Sequence, residues 1–298
     1  MTTTGKTTIL WFRRDLRLAD HPALAAALAR GGPVLPVYIH SPEEEDAWAP
    51  GAASRWWLHH SLLHLRGALR VRGSNLIVAR GPVAKTLVSI ARKSGAAAVS
   101  WETVCEPAWS ALDASLVEAL RSEGIEPIVA PPNLLTPPDS VFTGNGTPYK
   151  VFTPYYQRVS AQYAPLPHLP APHSIPSPTR WPASLPVEAL ALLPRVDWAG
   201  GLRETWEPGE AGAWKRMRDF IESALGDYGV HRDFPSEEGT SRLSPHLHFG
   251  EIGIHAVYRS VLDRLHVQDA PSREENARAF LRQLVWRDFA QYLLHHFP

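Results

Sequence analysis

Five short apolar runs, each separated from the next by a stretch with helical spacing, constrain this chain most. They are Thr7 to Phe12, Pro33 to His40, Asn75 to Ala79, Ala96 to Trp101 and Ile125 to Ala130. Each is apolar on successive rather than alternate residues, as expected of strands covered on both faces in a parallel sheet. Helical patterns fill the gaps. Pro22 to Arg30 is rich in Ala and Leu, with Asp20 placed as its cap. Ser54 to Arg72 repeats Leu58, Leu62, Leu65 and Leu69 at helical spacing. Val83 to Lys93 stops at Ser94-Gly95, and Pro107 to Ser122 stops at Gly124. Strands alternating with helices imply right-handed βαβ crossovers and a doubly wound, Rossmann-like α/β domain. It is expected over residues 7–131, as a unit able to fold alone.

The texture then changes. Fifteen of the 28 prolines lie between Pro131 and Pro194, a density that opposes helix and central strand. Residues 132–205 are therefore expected to be a connector running over the surface. Within it Asn145-Gly146 reads as a tight turn, followed by Tyr149, Phe152, Tyr155 and Tyr156. From Trp206 the pattern is helical, with candidates at Gly212 to Leu225, Ile252 to Leu265 and Arg273 to His295.

Composition narrows the function classes. Thirty Lys and Arg balance thirty Asp and Glu, so any nucleic-acid contact must rest on a local patch rather than bulk charge. The single cysteine, Cys105, precludes an internal disulfide and fits a reducing, cytoplasmic setting. The polar start, Met1 to Thr8, has no signal-peptide core, and no apolar run reaches membrane-spanning length. Eleven tryptophans suit a large core, base stacking or electron transfer.

Three motifs carry chemistry. Trp11-Phe12-Arg13-Arg14-Asp15-Leu16-Arg17-Leu18-Ala19-Asp20-His21-Pro22 follows the first strand, at the carboxyl edge where open α/β sheets bind ligands. By itself it reads best as an Arg/Asp cluster locking that loop onto a second domain. It lacks the glycine-rich fingerprint, so NAD binding is not expected. Next come Arg232-Asp233-Phe234-Pro235 and Gly239 to Gly250, including Thr240, Ser241, Arg242, Leu243 and Ser244. Hydroxyls, backbone amides and a helical turn starting at Ser244-Pro245 suit a diphosphate; a plain cap with a surface Arg is the simpler alternative. Third, Phe280 to Phe289 puts Phe280, Gln283 and Arg287 on one helical face with Trp286 nearby. An aromatic plane, an amide and a guanidinium suit a flipped base. A core helix with Trp286 buried is the alternative.

In order, FRRDLRLADHPAL, YKVFTPYY, RDFP–TSRLSPHLHFG and FLRQLVWRDF resemble the DNA photolyase/cryptochrome family along nearly the whole chain, most like a bacterial-type cyclobutane pyrimidine dimer photolyase. The resemblance implies an α/β antenna domain, a linker and, over 206–298, the beginning of an all-helical domain that holds FAD. It implies a second, antenna chromophore of folate or deazaflavin type. The implied activity is light-driven repair of pyrimidine dimers in DNA by a monomer, with cryptochrome-type signalling or a non-catalytic fragment as alternatives. Tyr228, Thr240, Ser241, Arg242, Leu243, Ser244 and Phe280 match FAD-contacting or flavin-proximal positions. Arg232, Gln283, Trp286 and Arg287 match positions toward DNA and the lesion. No catalytic residue and no metal site is assigned. The chain departs from the family in three ways. Gln283 stands where many members have Glu. Ala108 and Trp109 stand where some folate-antenna members have Asn and Glu. The later flavin-ring helices would lie beyond Pro298. The chain alone is therefore expected to hold FAD poorly and not to repair DNA. A helix stripe of Leu281, Leu284, Phe289 and Leu293 is expected to be left exposed. From Trp206 onward 11 Lys and Arg face 14 Asp and Glu, so a basic DNA surface is expected to be incomplete.

Overall fold

A computed structural model describes residues 5–45, 49–267 and 271–298; the first four residues of the polar start lie outside them. Five parallel strands form one sheet: β1 (Thr8–Phe12), β2 (Val34–His40), β3 (Ile77–Arg80), β4 (Ala98–Glu102) and β5 (Glu126–Ala130). Their order is β3-β2-β1-β4-β5. Between them run α1 (Pro22–Ala29), α2 (Pro42–Glu45), α3 (Ala52–Val71), α4 (Val83–Ser94) and α5 (Pro107–Ser122).

The period-two geometry of a strand sends alternate side chains to opposite faces. Leu10 and Phe12 pack with α1 and α3, while Ile9 and Trp11 pack with α4 and α5. Both layers are apolar, which is why the strand runs show no alternation. The stop signals act as expected: Gly95 at φ 64° and Gly124 at φ 69° take the left-handed conformation that spares a Cβ clash. The start of α1 differs from expectation. His21, not Asp20, is its cap, with Nδ1 accepting from the Leu24 N–H at 3.1 Å. Asp20 instead adopts φ 47° and accepts from the Arg259 guanidinium at 2.6 Å.

The proline-rich segment is less superficial than its composition predicts. Its Ile175, Val187, Leu190 and Leu192 complete the core on the α1/α3 face. Leu185 N–H donates to the Val78 carbonyl at 2.8 Å, and Ser184 Oγ accepts from Val78 N–H at 2.9 Å. These bonds cover the free edge of β3, an edge that would otherwise invite foreign strands. The segment also contains a helix, α6 (Phe152–Gln162). Pro154 sits in its first turn, where a missing N–H costs no intrahelical bond. Gly146 turns at φ 74° between the hydrogen-bonded Thr143 and Thr147.

The helical half comprises α7 (Gly200–Thr205), α8 (Glu210–Ser223), α9 (Tyr228–His231), α10 (Ser244–His248), α11 (Ile254–Val267) and α12 (Pro271–His296). The stripe expected to be exposed is not: Leu281, Leu284 and Phe289 are buried, and Leu293 packs partly against them. Tyr155 and Val159 of α6, Phe220 of α8 and Val257 of α11 share that core, so α12 finds its packing partners within this chain.

The loop after β1 joins the two halves, as the Arg/Asp reading required. Leu16 N–H donates to the Phe249 carbonyl at 3.1 Å, and Arg17 to the Gly250 carbonyl at 3.2 Å. Glu210 accepts from Leu18 and Ala19 N–H at 2.8 and 2.9 Å. A Cβ on Gly250 would lie 2.0 Å from the Arg14 carbonyl oxygen, so glycine permits the close approach. Buried Glu251 accepts from Trp57 Nε1 at 3.0 Å, Gly209 N–H at 2.7 Å and the Ser61 hydroxyl, and pairs with His246 at 2.5 Å.

Candidate functional site

β1 and β4 are neighbours whose helices leave in opposite directions along the sheet, and a crevice opens beyond their carboxyl ends. A pocket of about 400 Å³ occupies that crevice between the two halves of the chain. Its α/β wall comes from the loop after β1 (Arg14, Asp15), the end of β4 (Glu102 to Glu106) and the loop after β5 (Pro132 to Leu134).

Beneath that wall lies a buried charge network. Arg13 bonds Asp113 at 2.9 Å and the Glu102 carbonyl at 2.5 Å, while Arg17 bonds the Glu102 carboxylate at 2.7 Å. His21 Nε2 lies 3.1 Å from Asp15. His21 Nδ1 accepts from Leu24 N–H and lies 3.3 Å from the Glu102 carboxylate, so the ring stands between the two acids. Burial raises the Asp15 pKa, but His21, the Arg13 N–H and Arg17 outweigh it and hold the carboxyl below its ordinary value. At Glu102 burial wins over Arg17 and His21, and the pKa rises. Burial likewise pushes the Cys105 thiol up to about 12, so this pocket-lining cysteine is a neutral, inert thiol.

The helical wall is built from α9, the loop before α10, and α12. Arg242 adopts φ 51°, rare for a residue with a Cβ and costing about 1–3 kcal/mol. That reversal turns Ser241, Leu243 and Ser244 toward the pocket. It directs the Arg242 guanidinium away, over the Trp206 ring at 4.7 Å and toward Glu238 at 3.5 Å. Tyr228 also lines the pocket, its ring edge-on to Phe280 at 5.4 Å, and Phe280 rests on Phe220 at 4.6 Å. From α12, Phe280, Gln283, Leu284, Arg287 and Gln291 face inward, the spacing of one helical face.

Seven of the residues singled out from sequence therefore converge: Tyr228, Ser241, Leu243, Ser244, Phe280, Gln283 and Arg287. Four do not. Thr240 is exposed outside the lining, and Arg242 faces Trp206. Arg232 is not in the lining; it lies over the Tyr228 ring at 5.5 Å and pairs with Asp233 at 3.3 Å. Trp286 is separated from Gln283 and Arg287. It sits about 100° around the helix from Arg287, and its indole stacks on Phe152 at 3.5 Å with 9° between planes. It is neither buried nor in the pocket, with 43% of its surface exposed. Aromatic plane, amide and guanidinium are thus split between two surfaces of α12.

One residue that sequence reasoning passed over shapes the site. Asp288 is buried and accepts from Leu135 N–H at 2.6 Å and Thr136 N–H at 3.2 Å. Beside it, Arg287 donates to the Asn133 carbonyl at 2.9 Å and lies 3.6 Å from the carboxylate. Together they clamp the loop after β5 onto α12. Burial, opposed by Arg287 and the two amides, pushes the Asp288 pKa up to about 7. Its signal in the sequence was an acid on the apolar side of α12. The residues after β4 could have been found only from the strand order, which places them at the switch point.

Hydroxyls, a strained polar turn and aromatic edges on one wall, with alternating charge on the other, suit an anionic ligand that also carries rings. Among the described residues no helix is long and apolar enough to cross a membrane. The family pattern of DNA photolyase matches residues 8–175. The deoxyribodipyrimidine photo-lyase of Agrobacterium fabrum is 40% identical over 97% of this chain and 59% of its own length. Cryptochrome-2 of Arabidopsis thaliana is 34% identical over 98% of this chain and 49% of its own. A solved bacterial class III photolyase from Agrobacterium tumefaciens superposes with a TM-score of 0.93 at 37% identity, covering 100% of this chain and 61% of that one. The chain spans under two thirds of the length of each.

Proposed function

The chain belongs to the DNA photolyase family, and from that premise we propose that it serves light-driven repair of cyclobutane pyrimidine dimers in DNA. The observation that carries this reading is the convergence of the diphosphate-type loop and the Gln283/Arg287 face of α12 on one pocket at the switch point. FAD fits the donor set: Ser241 and Ser244 offer hydroxyls toward a diphosphate, with Tyr228 and Phe280 supplying aromatic walls. When bound and reduced, FAD would supply the photoexcited electron that opens the dimer. The protein's own part is to hold, orient and dry. Gln283 would hydrogen-bond the flipped base, Arg287 would supply positive charge beside it, and Leu243, Leu284 and Phe280 would exclude water. Trp286 with Phe152 forms an outer stacking platform, beside which Arg282 lies 5.5 Å from the Phe152 ring; we assign it to the bases around the lesion. The functional division follows residues 7–131, 132–205 and 206–298, and a folate- or deazaflavin-type antenna chromophore completes the scheme.

The test titrates the chain with FAD, removes free ligand, and records the visible spectrum and blue-light repair of a thymine-dimer oligonucleotide. Retained flavin, weakened by Ser244→Ala and Tyr228→Ala, supports the cofactor site. Repair lost in Gln283→Ala supports the lesion site. Absence of repair by this chain alone agrees with its expected weak hold on FAD, and the 34% identity to Cryptochrome-2 is the specific support for a cryptochrome-type reading. Flavin retention indifferent to both pocket substitutions would overturn the assignment.

A further inference from the structure

At the last turn of α12, one turn beyond the pocket-lining Gln291, the side chains of His295 and His296 meet Asp139 from the 3-10 turn Pro138–Ser140. One ligand atom from each, two imidazole nitrogens and a carboxylate oxygen, lies within 4.8 Å of the others. His295 Nε2 is 2.9 Å from Asp139 Oδ1, and His296 Nε2 is 3.2 Å from the Pro138 carbonyl. Both rings therefore turn the same nitrogen toward the same turn of chain. We propose that Asp139, His295 and His296 form a binding site for a borderline divalent transition-metal ion, of which Zn²⁺ is the representative.

The donor set selects the class of ion. Two imidazoles and one carboxylate suit zinc, nickel or copper, whereas calcium and magnesium want oxygen ligands. Bonds of about 2.0–2.2 Å set tetrahedral ligand atoms about 3.3 Å apart, so modest rotation closes the set. Asp139 is free to make it, with 75% of its side chain exposed. The frame behind the ligands is fixed. Tyr292 donates to the Val141 carbonyl at 2.8 Å and accepts from Tyr149 N–H at 2.9 Å, tying the segment after the turn to α12. The His296 ring is held edge-on against Tyr292 at 4.4 Å and Phe142 at 5.5 Å. The negative end of the α12 dipole also falls at this turn and favours a cation. Three protein ligands leave a fourth position open to water, so the ion would act as a clasp between the end of α12 and the chain after β5. No sequence motif announces the site, because its ligands lie 156 residues apart.

The experiment is isothermal titration of the full chain with Zn²⁺, with Mg²⁺ as the hard-ion control, followed by Co²⁺ substitution and its visible spectrum. Expected are one equivalent of Zn²⁺ at micromolar affinity, no Mg²⁺ binding, and a Co²⁺ spectrum of low coordination number. Asp139→Asn and His295→Gln should each weaken Zn²⁺ at least about tenfold, while His173→Gln, at an exposed histidine elsewhere, should not. Circular dichroism of each variant separates lost ligation from lost fold. Several weak equivalents indifferent to these substitutions would overturn the site. So would a variant that loses thermal stability without Zn²⁺ while the parent binds none, leaving a plain helix-end ion pair.

Discussion

Asp288→Asn tests whether a buried carboxyl, rather than the surface charge, sets the stability of this protein near neutral pH. Burial raises the Asp288 pKa from 3.8 to about 7. The folded chain therefore keeps its proton up to about pH 7, whereas the unfolded chain releases it near 3.8. Between those values the folded state binds more protons, so stability falls as pH rises. Three units at 1.36 kcal/mol each give about 4 kcal/mol of lost stability by pH 8, and relaxation around the site should reduce this to about 2–4 kcal/mol. Asparagine cannot ionise, and its amide oxygen can still accept from Leu135 and Thr136. The variant should exceed the parent least at pH 4.5, by about 1 kcal/mol relative to full protonation, and most at pH 8. Urea unfolding followed by tryptophan fluorescence at pH 4.5, 6, 7 and 8 measures the difference. Glu102 and Asp113, whose pKa values burial also raises, are common to both proteins and cancel. His255, lowered by burial to about 4, cancels for the same reason. A difference that stays flat with pH, or a variant that loses ground as pH rises, would refute the reasoning.

Gly250→Ala should destabilise by more than about 2 kcal/mol, since it combines a left-handed φ of 64° with a 2.0 Å clash against the Arg14 carbonyl; thermal unfolding that shifts by under a degree would show that the two halves dock differently. Contrary to the expectation that residues 7–131 fold alone, that segment should unfold over a broad urea range, while residues 5–205 unfold cooperatively, because Ile175, Val187, Leu190 and Leu192 complete the core; equal cooperativity of the two segments would contradict that dependence. Trp286→Ala should weaken binding to dimer-containing DNA by about 1–3 kcal/mol more than to undamaged DNA, as seen in paired gel-shift titrations; equal losses would assign the Phe152–Trp286 stack to packing alone. Cys105, with its thiol pushed up to about 12, should resist alkylation at pH 8 and react only in urea; rapid native labelling would contradict its burial.

What the amino-acid order determines by itself is whatever depends on neighbours along the chain. Unbroken apolar runs announced a sheet covered on both sides, and glycines at 95 and 124 marked helix ends, because strand period, helix period and left-handed stops are local properties. Four spaced motifs made the family resemblance legible for the same reason. The tertiary structure decided what depends on distance in space. Proline density said nothing about Ile175 or Leu190 entering the core, since burial depends on which face of the sheet lacks a cover. Asp20 read as a cap, but a partner 239 residues away, Arg259, outbids the local role. Helical spacing grouped Gln283, Arg287 and Trp286, yet the step of about 100° between Arg287 and Trp286 carried the indole off the pocket-facing side and onto Phe152. The meeting of Asp139 with His295 and the clamp of Asp288 on the loop after β5 have no local signature. Each joins segments that only the packing of α12 against the sheet's last loop brings within hydrogen-bonding reach.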